Sequence, residues 1–417
     1  MFYQKTDLKE EERMGMYLKR LGAAALLTCW AGVCFAADPA PFHVGICTGT
    51  VSQSEDDLRG AEALIARYGD VANGGMIKHV TYPDSFMTEQ ETTISQIAAF
   101  ADDPLMKAVV VNQSVPGTTE AFRRIREKRP DILLFSAEPH EDPMVITTVA
   151  DLSVATDALS RGYLNVALAH KLGCENYVLV SFPRHQSYEL QARKRRIMEE
   201  ACKDLGMKFH FETAPDPTSD VGVAGAQQFI LEKTPAWLEK YGPKTAFYCT
   251  NDAQTEPLIK VIAAKGGYFL EADLPSPLMG YPGALGIELA DVAGDFKAIL
   301  KRVEDAVVKA GGAGRMGVWA YSFGFTCSEA MGELAISCVK EGVTPKTLRR
   351  KVNLDRLVAA FDKETPGAKW NGSYYRDAGT GMELKNYMLV YQETYLLGKG
   401  FSGMGSVKVP EKYYKIK

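Results

Sequence analysis

The chain has 417 residues, more than one ordinary hydrophobic core accommodates, so two lobes are expected. Hydrophobic content of 46% and charged content of 24% argue against a disordered or fibrous chain. The 48 basic and 52 acidic residues leave a net charge of −4 with no basic block, which argues against a nucleic-acid-binding surface.

At the N-terminus, Lys19-Arg20 precedes an apolar run from Leu21 to Cys34, and Cys34-Phe35-Ala36 offers small residues at a cleavage site. Residues 1–36 read as a secretory signal peptide, whose apolar run is too short to span a bilayer. Ala31-Gly32-Val33-Cys34 is a poor match to a lipidation pattern, so a lipid anchor is a weaker second reading.

From Phe42 the pattern alternates. Strands are expected at Phe42–Cys47, Met76–Tyr82, Lys107–Val111, Ile132–Ser136 and Val145–Val149. Helices are expected at Ser54–Tyr68, with a capping-box-like start at Ser54 and Asp57, then at Thr88–Phe100, Thr118–Lys128 and Ala155–Leu172. After Gly173 the alternation restarts. Strands are read at Tyr177–Ser181, Lys208–Thr213, Thr245–Cys249, Tyr268–Leu270, Pro277–Gly280 and Met316–Tyr321. The intervening helices are Tyr188–Leu205 capped by Ser187, Val221–Tyr241 interrupted near Pro235, Glu256–Lys265, Asp291–Ala310 and Thr326–Lys340. Val352–Phe361 reads as helical, Tyr387–Leu397 as including a strand, and Thr365–Gly381 as a loop or flap. Strands separated by amphipathic helices give parallel sheets with right-handed crossovers. The fold class is therefore α/β, with two doubly wound parallel-sheet lobes joined by a hinge. The expected division is 37–173 for the first part of lobe 1, 174–315 for lobe 2, 316–342 for a return to lobe 1, and 343–417 for an extension completing the lobes and hinge.

Six cysteines follow the leader, Cys47, Cys174, Cys202, Cys249, Cys327 and Cys338. Cys327 and Cys338 share one expected helix, which sets them ~16 Å apart by helical rise, too far to pair. Buried free thiols are the expectation. There is no CxxC, and His140-Glu141-Asp142 are adjacent loop residues that seldom converge on one ion, so no metal site and no cofactor are expected. The glycines 312, 314 and 317 match GxGxxG but follow a helix and precede a strand, the reverse of the dinucleotide context. Ala320-Tyr321-Ser322-Phe323-Gly324 resembles a nucleophile elbow, yet the last histidine is His210, which rules out the usual order of a hydrolase triad.

In open parallel sheets, ligands collect at the carboxyl ends of strands. Here those ends are polar, mostly uncharged and interleaved with tyrosine, as a small polar ligand requires. The candidate contacts are Thr48, Thr50, Ser52, Gln53, Gln113, Ser114, His140, Arg184, Asn251, Asp252, Tyr281 and Tyr321. Asn251-Asp252 is the foremost pair. Pro257 argues that the following helix is capped at Thr255, leaving Asp252 ahead of it and open to ligand. Arg193 or Lys194 could reach the cleft from the first turns of their helix.

An exported chain of two doubly wound lobes, with Asn251-Asp252 ending a strand of the second, resembles the type I periplasmic binding proteins. Val110-Val111-Asn112, Gly117-Thr118 and the long helix before Gly173 add to the likeness, which covers roughly Phe42 to Gly342. Thr255 and Pro257 depart from the family pattern after the Asn-Asp pair, and the tail beyond Val343 is longer than the family leads one to expect. The resemblance implies a non-enzymatic, monomeric, periplasmic receptor that closes on a small polar ligand (sugar, nucleoside or amino-acid-like) and docks on an ABC-type permease. The alternatives are a ligand-sensing subunit of a membrane receptor and an exported α/β hydrolase using Ser322.

Overall fold

The computed structural model describes residues 40–417 apart from Thr218, with the side chains of residues 52–54 and 252 outside the described set. The expected signal peptide, lipid anchor and Ser54 cap fall outside it. In chain order the first lobe builds β1 (His43–Thr48), α1 (Val51–Tyr68), β2 (Ile77–Thr81), α2 (Gln90–Ala98), β3 (Met106–Val111), α3 (Thr118–Lys128), β4 (Leu133–Ala137), α4 (Pro143–Ile146) and β5 (Leu152–Thr156). The helix α5 (Ala158–Lys171) leads to the second, which builds β6 (Asn176–Ser181), α6 (Pro183–Gln186), α7 (Glu189–Asp204), β7 (Lys208–Thr213), α8 (Gly222–Tyr241), β8 (Thr245–Cys249), α9 (Asp252–Lys265), β9 (Tyr268–Phe269), α10 (Tyr281–Leu285) and α11 (Phe296–Lys309). The remainder is β10 (Gly317–Val318), α12 (Phe323–Lys340), α13 (Pro345–Lys351), α14 (Leu354–Glu364), β11 (Trp370–Arg376), β12 (Glu383–Gln392), β13 (Tyr395–Leu396), β14 (Gly400–Phe401) and α15 (Glu411–Tyr414).

The first sheet runs β11-β12-β5-β4-β3-β1-β2 and is parallel except for β11, which pairs antiparallel with β12. The second runs β7-β6-β8-β9, all parallel, and a small antiparallel sheet joins β10, β13 and β14. Apolar runs such as Val109-Val110-Val111 and Leu133-Leu134-Phe135 are fully buried because helices cover both faces. In the second sheet the two-residue period sorts side chains cleanly. Tyr177, Leu179, Ala246 and Tyr248 face the same cluster as α5 and α7, while Val178, Val180, Phe247 and Cys249 face α9 and α11.

The return helix α12 lies against α1, and two glycines permit the approach. A Cβ on Gly60 would come within 2.5 Å of the Phe325 carbonyl oxygen, and one on Gly332 within 2.3 Å of Leu64 Cδ1. The chain passes between the two layers at Asp157, at Trp319–Ser322 and at Gln392–Thr394. At the last two, the Ala320 and Tyr321 amides both donate to Gln392 Oε1, at 2.6 and 3.2 Å.

Several local expectations need correction. Val145–Val149 is not a strand: Asp142 caps the short helix α4 there, and β5 follows. Thr365–Gly381 contains the strand β11. Pro277–Gly280 is not a strand and leads into α10. Helix α8 continues through Pro235, where the Thr234 hydroxyl bonds the Ile230 carbonyl. Tyr188, not Ser187, is the N-cap of α7, and the Ser187 hydroxyl donates to the Arg184 carbonyl. The six cysteines named above are buried free thiols.

Candidate functional site

On the first lobe two adjacent strand ends carry left-handed backbone at residues that are not glycine. Gln113, past β3, has φ 44°, and Glu138, past β4, has φ 41°. Such conformations cost free energy and persist where surrounding contacts impose them. Gln113 Nε2 donates to Asp57 Oδ2 at 3.1 Å, and Glu138 accepts from the Thr156 amide at 2.6 Å. Burial pushes the Glu138 carboxyl up, against the Thr156 bonds and the nearby Arg161 charge; Asp273 of the second lobe is close enough to add to the rise. Burial also raises the Asp56 carboxyl of α1, while the hydroxyls of Ser322 and Ser276 stand beside it and pull the other way. Beside Asp56, a cavity of about 210 Å³ opens between Glu55, Asp56 and Arg59 of α1 and Leu278, Phe296 and Ile299.

On the second lobe, β6 and β8 end in a hydroxyl pair, Ser181 Oγ and Thr250 Oγ1, 2.6 Å apart. Gln186 Nε2 donates to Ser181 Oγ at 2.9 Å, and His185 Nδ1 lies 3.3 Å from Thr250 Oγ1. The His185 ring lies tilted against Phe182 with centroids 4.2 Å apart, and burial holds its imidazole below the usual range. Arg184 forks onto Asp216, past β7, at 2.7 and 2.9 Å.

Behind these tips lies a buried charged network. Arg161 of α5 donates to Glu271 Oε1, and Trp319 Nε1 donates to Glu271 Oε2 at 2.9 Å. Lys194 of α7 donates to Tyr248 OH at 2.7 Å and Asp273 Oδ1 at 2.8 Å. Burial pushes the Asp273 carboxyl up, but the Lys194 and Arg161 charges more than offset this and hold it low. Burial lowers the Lys194 ammonium despite Asp273. Sequence reasoning missed Arg161, Glu271 and Asp273. Their signal was an isolated charge in an otherwise apolar helix or strand end.

The expected contacts divide. Gln113, Arg184 and Asn251 lie just past the ends of β3, β6 and β8. Thr50 lies past β1, its hydroxyl bonded to Asp84. His140 is exposed past β4, with its ring 6.1 Å from Phe86. The side chains of Ser52, Gln53 and Asp252 are outside the described set. Three expected contacts turn into the protein instead. Thr48 is buried and bonds His79 Nε2 at 2.9 Å; Ser114 is buried against Ser136; Tyr281 is buried and donates to the Gly317 carbonyl at 2.7 Å. Tyr321 OH donates to the Pro366 carbonyl at 3.0 Å. The expected cap at Thr255 is also corrected. Asn251 is the N-cap, its Oδ1 accepting from the Ala253 amide at 3.0 Å, and Asp252 opens α9 with Pro257 inside the helix. Glu141 holds the Gly117 and Thr119 amides, and Asp142 caps α4, which accounts for that acidic loop. Among the described residues no His, Cys, Asp and Glu group has the geometry for a metal ion. No described helix is long and apolar enough to cross a membrane. Arg193 is buried away from the tips, in contacts with Arg376, Tyr414 and Ile416 carbonyls.

A family model described as "Protein of unknown function (DUF3798)" matches residues 42–317. The chain belongs to that family. A second family model matches residues 328–416 of the DUF3798 chain. An uncharacterized protein of Treponema pallidum (strain Nichols) is 46% identical over 178 residues, 42% of this chain and 80% of that protein. A second from the same organism is 40% identical over 210 residues, 50% of this chain and 95% of that protein. Among solved structures, a provisionally named transcriptional regulator from Clostridium difficile 630 superposes with a TM-score of 0.75 at 20% identity, covering 85% of this chain and 99% of the other. A sugar ABC transporter protein from Actinomyces odontolyticus gives 0.51 at 9% identity, with 85% and 96% covered. At these identities the likeness concerns the fold, which is that of the type I periplasmic binding proteins.

Proposed function

We propose that this DUF3798 chain is an extracytoplasmic solute-binding protein that closes on a small polar ligand and presents it to an ABC-type permease, without catalysis of its own. The observation that carries this reading is that strands of two parallel sheets end in polar groups, Gln113 and Glu138 after β3 and β4, and Ser181, His185 and Thr250 at the ends of β6 and β8. Arg161, Lys194 and Arg184 are each matched to a carboxylate: Arg161 to Glu271, Lys194 to Asp273, Arg184 to Asp216. That pairing favours an uncharged, hydroxyl- or amide-rich ligand over an anion. Lobe 1 extends over the first sheet with its return segment, lobe 2 over the second. In this reading the protein acts as a monomer in the periplasm, and ligand shifts the population toward the closed form.

A ligand-sensing role, reporting to a receptor instead of a permease, draws support from the regulator among the similar folds. Hydrolysis at Ser322 draws none, because its hydroxyl faces the Asp56 carboxyl and not an imidazole.

The test is a thermal-shift panel of sugars, nucleosides and amino acids, repeated with Asp252→Ala. One class should raise the melting temperature in the native chain and lose that effect in the variant. A blank panel together with turnover that Ser322→Ala abolishes would replace the receptor with an enzyme.

A further inference from the structure

The C-terminal segment after β14 does not cover the gap's tips; it lies on α5 and α7. Lys171 Nζ donates to the Ser402 carbonyl at 2.7 Å, and the Met404 amide donates to Glu393 Oε1 at 2.9 Å. The Tyr413 ring lies tilted against Tyr163 with centroids 4.7 Å apart, its hydroxyl donates to Asp204, and Tyr414 OH meets Ser160 Oγ at 2.7 Å. The node is Arg193 of α7, whose side chain is 2% exposed. Its Nε donates to the Ile416 carbonyl at 2.9 Å, its Nη2 to the Tyr414 carbonyl at 3.1 Å, and its Nη1 to the Arg376 carbonyl at 3.0 Å and to Glu189 at 3.1 Å. Arg376 ends β11, the edge strand of the first sheet. Next to it, Tyr375 OH donates to Glu189 Oε2 at 2.9 Å. One guanidinium therefore joins a second-lobe helix, a first-lobe strand and the chain terminus. The planar fork suits this use, because its donors point in fixed and different directions.

We propose that residues 402–417 form a strap, fastened at Arg193, that limits how far the two lobes swing apart. Rotation about the crossings at Asp157, Trp319–Ser322 and Gln392–Thr394 moves α7 against β11 unless the axis passes through their contact. The strap holds that contact, so opening is confined to rotation about it. This inference rests on the hinged reading above but not on any ligand.

Small-angle X-ray scattering of the ligand-free full chain tests it, against Arg193→Lys and against a chain ending at Phe401. Arg193→Lys keeps the charge and gives up the fork; the deletion removes the whole strap with its Tyr414 and Ile416 acceptors and leaves Arg193 in place, so it carries the test should the substitution fail to fold. Far-UV circular dichroism confirms folding. The expected result is a larger radius of gyration and maximum dimension in the folded variants than in the native chain. Equal dimensions in all folded chains would overturn the strap. The ligand panel reads the receptor proposal separately: a blank panel with expanded variants removes the receptor and keeps the strap, while a bound ligand with no expansion removes the strap alone.

Discussion

Arg161 Nε donates to Glu271 Oε1 across 2.5 Å, with each side chain only 3% exposed. Removing one member of such a pair leaves a buried charge without its partner, which costs about 3–5 kcal/mol, whereas replacing both by apolar groups of similar volume is far less damaging. Arg161→Met should therefore lower stability by about 3 kcal/mol in urea denaturation, and Arg161→Met with Glu271→Leu should recover most of the loss. A double variant as weak as the single one would show that Trp319 and Asn165, which also bond Glu271, depend on the carboxylate itself.

Asn251 and Asp252 are adjacent but carry separable roles. Asn251→Ala removes the α9 cap and should cost about 1 kcal/mol. Asp252→Ala should leave the melting temperature of the unliganded chain close to native and abolish the ligand shift. Calorimetry on both variants checks this, and a fall in unliganded stability for Asp252→Ala would return that residue to a structural role.

Burial, with the neighbouring Glu364 next in weight, pushes the Glu329 carboxyl up to about 7 despite the Arg67 guanidinium 3.0 Å away. The folded chain then holds a proton that the unfolded chain releases near pH 4.5, so stability falls as pH rises from there to about 7. Glu329→Gln should stabilise the protein at pH 8 by on the order of 1–3 kcal/mol and have little effect at pH 5. Melting curves at the two values decide it. An equal effect at both would mean that the carboxyl is ionised throughout.

Tyr82 is fully buried past β2, and its hydroxyl has no hydrogen-bond partner among the described residues. A buried donor left unpaired costs about 1–3 kcal/mol, so Tyr82→Phe should raise stability by about 1 kcal/mol. A loss of stability would indicate a partner for the phenol in solution, which a high-resolution crystal structure with ordered water would reveal.

Much of the architecture was legible because β-strand and helix periods differ and alternate through most of the chain. β11 escaped because Trp-Asn-Gly-Ser-Tyr-Tyr-Arg is polar and aromatic, as a half-exposed edge strand is, and lies between Pro366-Gly367 and a glycine-bearing turn. The start of α9 was misplaced because a proline at 257 disfavours a helix interior, yet tertiary packing of Leu258, Ile259 and Ile262 sustains the helix through it. At the site, polar tips were readable as a class, but which of them turn inward was not. Thr48 and Tyr281 have the same chemistry as a ligand contact and differ only in where the finished fold points them. The buried charged network was invisible because Arg161, Glu271 and Trp319 are brought together only by tertiary structure.

The two stretches matched by separate family models are not separable pieces of architecture. Residues 328–416 contribute β11 and β12 to the seven-stranded sheet whose other five strands come from residues 42–317. Cut between them and expressed apart, the larger fragment would expose β5 as a bare edge and the smaller would carry a two-stranded ribbon with no sheet to extend. Mixed, they should reassociate, which makes this connection a natural place to divide the molecule into complementing halves.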